Sequence, residues 1–365
     1  MSDPVPVERL QAAAYEIPTD SQESDGTLAW DSTVLVVVEA SAGGRTGVGY
    51  TYAHQTAVSL IHDKLAGTVE GSDAMALGAT WATMLREVRN LGTVGLVSMA
   101  ISAVDTALWD LKARLLDVPL VVALGAVHDG VPVYGSGGFT SYDDRQLADQ
   151  LSGWVEAGIP RVKIKTGRDP DADRHRLRVA RQAIGDDIQL FVDANGAFTV
   201  REAVEWAGIY RHDHDVRWFE EPVSSDDLDG LRHVRGRSPG GIDIAAGEYG
   251  WNPWYFARML AAPAVDCLQV DPTRALGYTG FLAAAGQADG HQVDVSAHCA
   301  PQLSAQVCTA VRRLRHLEYF HDHVRIERLA FDGVLEPVDG ELRPDRSRPG
   351  NGLALKRGDL EQHRV

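Results

Sequence analysis

Apolar positions in the first 130 residues follow two rhythms. Residues 33–39 (Thr-Val-Leu-Val-Val-Val-Glu) are a dense β-branched run, and residues 47–52 read as its hairpin partner across Ala42-Gly43-Gly44. A helical period follows, with Ala100, Val104, Ala107, Leu108, Leu111 and Leu115 at spacings of three and four. Together these predict an α+β domain over residues 1–125. Ahead of the first strand, residues 17–30 are polar, contain Asp25-Gly26, and are expected as a mobile loop that folds over a neighbouring site.

Beyond residue 130 a strand–helix alternation repeats eight times. The predicted strands are 131–135, 161–165, 188–193, 216–220, 242–248, 265–271, 293–298 and 317–320. The intervening helices carry readable ends. Thr199 with Glu202 makes a capping box, Asn252-Pro253 an N-cap and first-turn pair, and Gly185 and Gly290 are expected stops. Eight such units predict a TIM-type (β/α) barrel over residues 126–328. The turn-rich tail, residues 329–365, is expected to pack back on the first domain.

Composition narrows the class. With 44% apolar and 24% charged residues the chain is an ordinary globular one, neither fibrous nor disordered. Its net charge of −16 argues against nucleic acid and anionic membranes as partners. No apolar run is long enough to span a bilayer, and the N-terminus lacks a signal-peptide pattern. Three scattered cysteines suit a reducing compartment and offer neither a disulfide framework nor a zinc site, so the cytoplasm is expected.

The chemistry lies in what ends the strands: Lys163 and Lys165, then Asp193, Glu220, Glu248, Asp271, His298 and Glu318, at steps of 20 to 28 residues from Lys165 onward. In this barrel the C-terminal strand ends converge on one mouth. Any one of these acids alone would read as a loop cap. Asp193, Glu220 and Glu248 on three successive strands instead suggest a hard cation such as Mg²⁺, since three clustered carboxylates repel one another. With no histidine or cysteine in the trio, zinc is disfavoured. Lys163 and Lys165 share one strand face, about 6.5–7 Å apart, and each is expected to have a lowered pKa from its neighbour and from burial. His298 with Asp271 on the preceding strand makes a second acid/base group. Glu318 is expected either to join the mouth or to pair with an arginine of the 312–315 run.

Arg161-Val-Lys-Ile-Lys165, Asp193-Ala-Asn195, Phe219-Glu-Glu-Pro222, Ala245-Ala-Gly-Glu248, Asp271-Pro272 and Ser296-Ala-His298, with the run from Ser98 to Leu111, resemble the mandelate racemase subgroup of the enolase superfamily. The resemblance implies a modified barrel, (β/α)7β, with an N-terminal capping domain. It implies one Mg²⁺ per subunit on Asp193, Glu220 and Glu248, and abstraction of the proton α to a carboxylate through an enediolate. Lys165 is then the base on one face of the α-carbon, and His298 with Asp271 the base or acid on the other. Lys163 and Glu318 are expected beside the substrate carboxylate, and Asn195 near the substrate. The role of Arg274 stays open. Dehydration of a sugar acid to a 2-keto-3-deoxy acid is the expected reaction, with racemisation or epimerisation of a 2-hydroxy acid as the alternative. A non-catalytic sugar-acid-binding barrel is a third reading. A muconate-type cycloisomerase is disfavoured, because a lysine would be expected in place of His298. Trp30, Tyr52 and His54 are expected substrate contacts from the capping domain, and a homo-oligomer is the expected assembly.

Overall fold

A computed structural model describes residues 3–365. Strands β1 (Arg9–Ser24), β2 (Ala29–Ala42) and β3 (Arg45–Tyr52) form an antiparallel meander. The helix Leu96–Leu115 lies on it. Its approach is close because Gly47 and Gly49 on β3 carry no side chain. A Cβ at Gly47 would stand 2.2 Å from the Leu111 nitrogen. Asp110, fully buried in this helix, accepts bonds from Val48 N (2.8 Å) and from Asn351 N in the tail (2.6 Å).

The segment 17–30 is not a loop. β1 and β2 pair through it, with a register shift between Pro18 and Glu23, so that Glu23 faces Trp30. Only Asp25–Leu28 turns, held by Asp25 Oδ1 accepting from the backbone of Thr27 (2.6 Å) and Leu28 (2.7 Å). The polar sequence misled because this part of the hairpin is held by one side-chain bond across its own strands and by two contacts from outside its sheet. Trp30 Nε1 donates to Glu23 (2.8 Å), Thr140 N donates to Ser24 O (2.8 Å), and Arg168 Nε donates to Asp25 O (3.0 Å).

Eight of the described strands close a parallel barrel in sequence order: β4 (Val131–Gly137), β5 (Arg161–Lys165), β6 (Gln189–Asp193), β7 (Val216–Glu220), β8 (Asp243–Ala246), β9 (Cys267–Val270), β10 (Asp294–Ala297) and β11 (Leu314–Phe320). The ring shuts where Leu317 of β11 pairs with Val133 of β4, and Glu341–Leu342 adds a short antiparallel strand to β4. The expected helix ends are present. Thr199 and Glu202 form the capping box of Val200–His214, Asn252 caps Pro253–Ala261, and Gly185 ends Pro170–Ile184. Gly290 is the last residue of Gly277–Gly290. The helix His321–Ala330 follows β11 and returns toward the meander, where the Tyr50 hydroxyl donates to Glu327.

The capping helix is bolted onto the barrel loops by its own polar residues. Ser98 Oγ donates to Trp251 O (2.6 Å) and to Arg274 O, Ser102 Oγ accepts from Gly277 N (2.9 Å), and Asp105 accepts from Thr279 N (2.9 Å). These are residues of the 98–111 run that carried the resemblance. No described helix is long and apolar enough to cross a membrane.

Candidate active site

Strand register brings the ionisable ends together. Lys165 stands opposite Asp193, and Asp193 opposite Glu220, across β5, β6 and β7. Asp193, Glu220 and Glu248 are buried, and one oxygen from each lies within 4.8 Å of the others. Lys163 Nζ sits among Glu220 (2.5 Å), Glu318 (2.7 Å) and Asp193 (3.5 Å). Lys165 Nζ contacts Asp193 (2.5 Å).

The two lysines depart from expectation. Burial pulls each ammonium down, but the carboxylates more than offset it: Glu220 and Glu318 beside Lys163, and Asp193 beside Lys165, so both pKa values lie above the ordinary lysine value. Strand pairing supplies these partners, and spacing along one strand does not reveal them. Burial and then Asp193 push the Glu220 carboxyl up to about 8. Burial raises Glu248 too, but His298 and Arg274 overcome it and hold the carboxyl well below the usual range.

On the far side His298 Nδ1 meets Asp271 Oδ2 at 2.8 Å, which forms the expected dyad. Asp271 is itself fixed by Thr273 N and Oγ1, both at 2.7 Å. Burial lowers His298, yet Cys299, Glu248 and Glu318 prevail and its pKa is raised well above the ordinary value. Glu318 joins the mouth and not an arginine: it pairs with Lys163 and accepts from Ser136 Oγ (2.5 Å). Burial raises its carboxyl, but Lys163 and His298 outweigh burial and hold it below the usual range. Arg274 bridges Glu248 (3.1 Å) and Asp271 (3.7 Å), linking the trio to the dyad.

Lys165, Glu248, His298 and Arg274 line a cavity of about 600 Å³ together with Asn195, Trp30, Tyr52 and His54. The Trp30 indole N–H is taken by Glu23, so the ring offers the cavity its carbon surface. Tyr52 stacks on His323 with centroids 3.4 Å apart. His54 is exposed, and its Nδ1 lies 3.0 Å from Thr56 Oγ1.

Three residues went unread in the sequence. Ser136 lies in β4 one residue past the predicted strand end. Cys299 adjoins His298, and that adjacency was its only signal. Arg176, in an Arg-rich helix that suggests a solvated face, is buried and donates to Lys165 O (2.7 Å), Gly138 O (2.7 Å) and Phe139 O (2.9 Å). It ties the ends of β4 and β5 together. Just past the strand ends the backbone turns sharply through non-glycine residues of positive φ: Asn195 (47°), Glu221 (39°), Cys299 (47°) and Ala300 (41°).

The mouth fits a divalent cation. Six buried carboxylates (Asp193, Glu220, Glu221, Glu248, Asp271 and Glu318) share the mouth with three basic side chains (Lys163, Lys165 and Arg274) and the His298 imidazole. Glu248 Oε2 and Glu221 Oε1 have no well-aligned hydrogen-bond partner. An oxygen-only trio in this setting suits Mg²⁺.

Residues 146–359 match the family described as enolase C-terminal domain-like, and residues 12–125 match the mandelate racemase / muconate lactonizing enzyme N-terminal domain. A mandelate racemase/muconate lactonizing enzyme-like protein from Rubrobacter xylanophilus superposes with a TM-score of 0.97 at 55% identity, covering 98% of this chain and 99% of that one. The 3,6-anhydro-alpha-L-galactonate cycloisomerase of Streptomyces coelicolor is 30% identical over 360 residues, 96% of this chain and 97% of the relative. L-talarate/galactarate dehydratase from Salmonella typhimurium LT2, liganded with Mg and L-lyxarohydroxamate, superposes with a TM-score of 0.90 at 25% identity, covering 99% and 93%.

Proposed function

The chain belongs to the mandelate racemase / muconate lactonizing enzyme family of the enolase superfamily, and on that premise we propose that it is a Mg²⁺-dependent acid-sugar dehydratase. It removes the proton α to the carboxylate and expels the β-hydroxyl, giving a 2-keto-3-deoxy acid. The observation that carries this reading is the arrangement at one mouth: Lys165 at the end of β5, Glu248 just past β8 and His298 just past β10 line one cavity, Asp271 backs His298, and Asp193 and Glu220 complete the carboxylate trio behind them.

Asp193, Glu220 and Glu248 hold the cation in this reading. Bound there, Mg²⁺ supplies Lewis acidity for the charge that develops on the substrate carboxylate. Lys163, buried among Glu220 and Glu318, adds a fixed positive charge on the same side. Lys165 takes the α-proton at Nζ. Its readiness depends on Asp193: once that carboxylate's charge is taken up by a cation, the contact that raises Lys165 weakens and burial favours the neutral amine. His298 Nε2, with Nδ1 fixed by Asp271, delivers a proton to the departing hydroxyl. Trp30, Tyr52, His54 and Asn195 contact the rest of the sugar acid, and the Asp25–Leu28 turn helps keep water out.

The intact dyad also favours a second reading, inversion at the α-carbon of a 2-hydroxy acid. A panel of mono- and diacid sugars, their lactones and anhydro forms, and 2-hydroxy acids, incubated with Mg²⁺ in deuterated water, tests both. Dehydration gives keto acid, with exchange of the α-proton abolished in Lys165→Met and the acid step impaired in His298→Asn. Inversion gives both epimers, each variant keeping exchange of one epimer only. Isomerisation without loss of water would place this chain with its Streptomyces relative instead. No exchange by the wild type across the panel would overturn the reaction class.

A further inference from the structure

His298 Nε2, Cys299 Sγ and Glu318 Oε2 form a triangle with sides of 3.2, 3.3 and 3.5 Å. A tetrahedral zinc ion bound to one imidazole nitrogen, one thiolate and one carboxylate oxygen spaces those ligands about 3.4–3.6 Å apart. The sides of the triangle therefore match those of a metal's coordination face to within about 0.4 Å. All three residues are buried, and His298 and Cys299 line the cavity, which gives an ion a way in. Glu248 Oε2, 3.2 Å from the same Nε2, belongs to the oxygen trio, which leaves the fourth position to solvent. Asp271 on Nδ1 already orients Nε2 toward this point, the support that metal-binding histidines use.

The donor set differs in kind from the oxygen-only trio. A thiolate with an imidazole selects soft ions such as Zn²⁺ and Cd²⁺ and discriminates against Mg²⁺. We propose that this triangle is a second metal site, specific for thiophilic divalent cations, whose occupation silences the enzyme by capping the nitrogen that moves the proton. Binding exchanges the thiol S–H bond and the imidazolium Nε2–H bond for bonds to the metal and releases two protons per ion to solvent, with no change of oxidation state. The inhibitory consequence rests on the reaction proposed above, whereas the binding itself does not.

The test titrates the Mg²⁺-loaded protein with Cd²⁺ and follows the ultraviolet charge-transfer absorbance of the thiolate–cadmium bond. The wild type is expected to show a band that saturates at one Cd²⁺ per chain and persists in excess Mg²⁺. Cys299→Ser and Cys299→Ala are each expected to lose it, with circular dichroism reporting that they fold. Cys267 and Cys308, buried elsewhere, remain in both variants as internal controls. On any substrate the panel yields, Cd²⁺ should inhibit the wild type at a concentration about tenfold or more below that needed for Cys299→Ser. A wild type without the band, a band surviving in a folded variant, or Cd²⁺ displaced by Mg²⁺ would overturn the site. A band without turnover on the panel would leave the site standing and remove the proposed reaction.

Discussion

Glu220→Gln separates two roles of one carboxylate. In the metal-free protein above about pH 8, where its carboxyl is ionised, Glu220 accepts from Lys163 Nζ (2.5 Å) at Oε1 and from Trp218 Nε1 (2.9 Å) at Oε2, so both neighbours are donors. The amide satisfies one of them and turns its own donor on the other. One mismatched buried donor costs about 1–3 kcal/mol. Over 365 residues the unfolding entropy is about 0.8 kcal/mol per degree, so the metal-free Tm should fall by about 1–4 °C. The cation effect is distinct. At 100 times its Kd, Mg²⁺ stabilises by about 2.7 kcal/mol, or about 3–4 °C. Loss of a direct ligand should weaken binding by at least about 100-fold, the upper end of the effect of losing a ligand's supporting partner. The same Mg²⁺ concentration should then raise the variant's Tm by only about half a degree. Differential scanning calorimetry with and without Mg²⁺ reads both terms. A variant that keeps the full Mg²⁺-induced shift would show that the trio is not the metal site, whatever its activity.

Two further predictions concern groups outside the trio. Burial pushes Glu327 up to about 8, and burial with Asp322 does the same to Glu23, from an unfolded value near 4.5. Raised acids stabilise the fold fully below that unfolded value and lose the contribution as pH rises through 8, at about 1.4 kcal/mol per pH unit for each group. Tm should therefore decline between pH 5 and 8, with Glu327→Gln and Glu23→Gln each removing part of the slope; unchanged slopes in both variants would refute the assignment. Arg176→Met takes a donor from Lys165 O, takes the second donors from Gly138 O and Phe139 O (which keep Lys165 N and Tyr142 N), and leaves Asp173 without its ion-pair partner. Unfolding free energy should fall by about 3–5 kcal/mol, read by denaturant titration, and a loss under 1 kcal/mol would show that the strand ends hold themselves.

The barrel and its chemistry were legible because one signal carried both. Each unit ends its apolar strand with an ionisable residue, and a parallel barrel gathers strand ends, so Lys165, Asp193, Glu220, Glu248, Asp271 and His298 could be placed together from spacing, whereas Glu318 stayed open between the mouth and an arginine. What spacing could not give was pairing across strands. The lysines were expected to depress one another, but the register sets Lys165 against Asp193, and closure of the barrel brings Glu220 and Glu318 to Lys163. The 17–30 segment failed for a related reason. Its strand character is supported by Trp30 bonding Glu23 across the hairpin and by Thr140 and Arg168 reaching it from elsewhere, while its own residues alternate weakly. Arg176 was hidden because a buried arginine that binds carbonyls looks, in sequence, like any other on a charged helix.

The left-handed corners at Asn195, Glu221, Cys299 and Ala300 have a consequence for how such a molecule can change. Each costs about 1–2 kcal/mol for a residue with a side chain, so each is a place where glycine would relax the backbone. Each also stands within a few residues of a strand-end group and turns the chain abruptly out of the ladder. Orientation of the reacting side chains is thereby decided inside the barrel, before the loops begin. Loops beyond these corners, and the hairpin that meets them, can lengthen, shrink or exchange residues without re-aiming Lys165, the trio or the dyad. A lineage built this way can trade one acid for another by editing its rim while inheriting the proton chemistry unaltered.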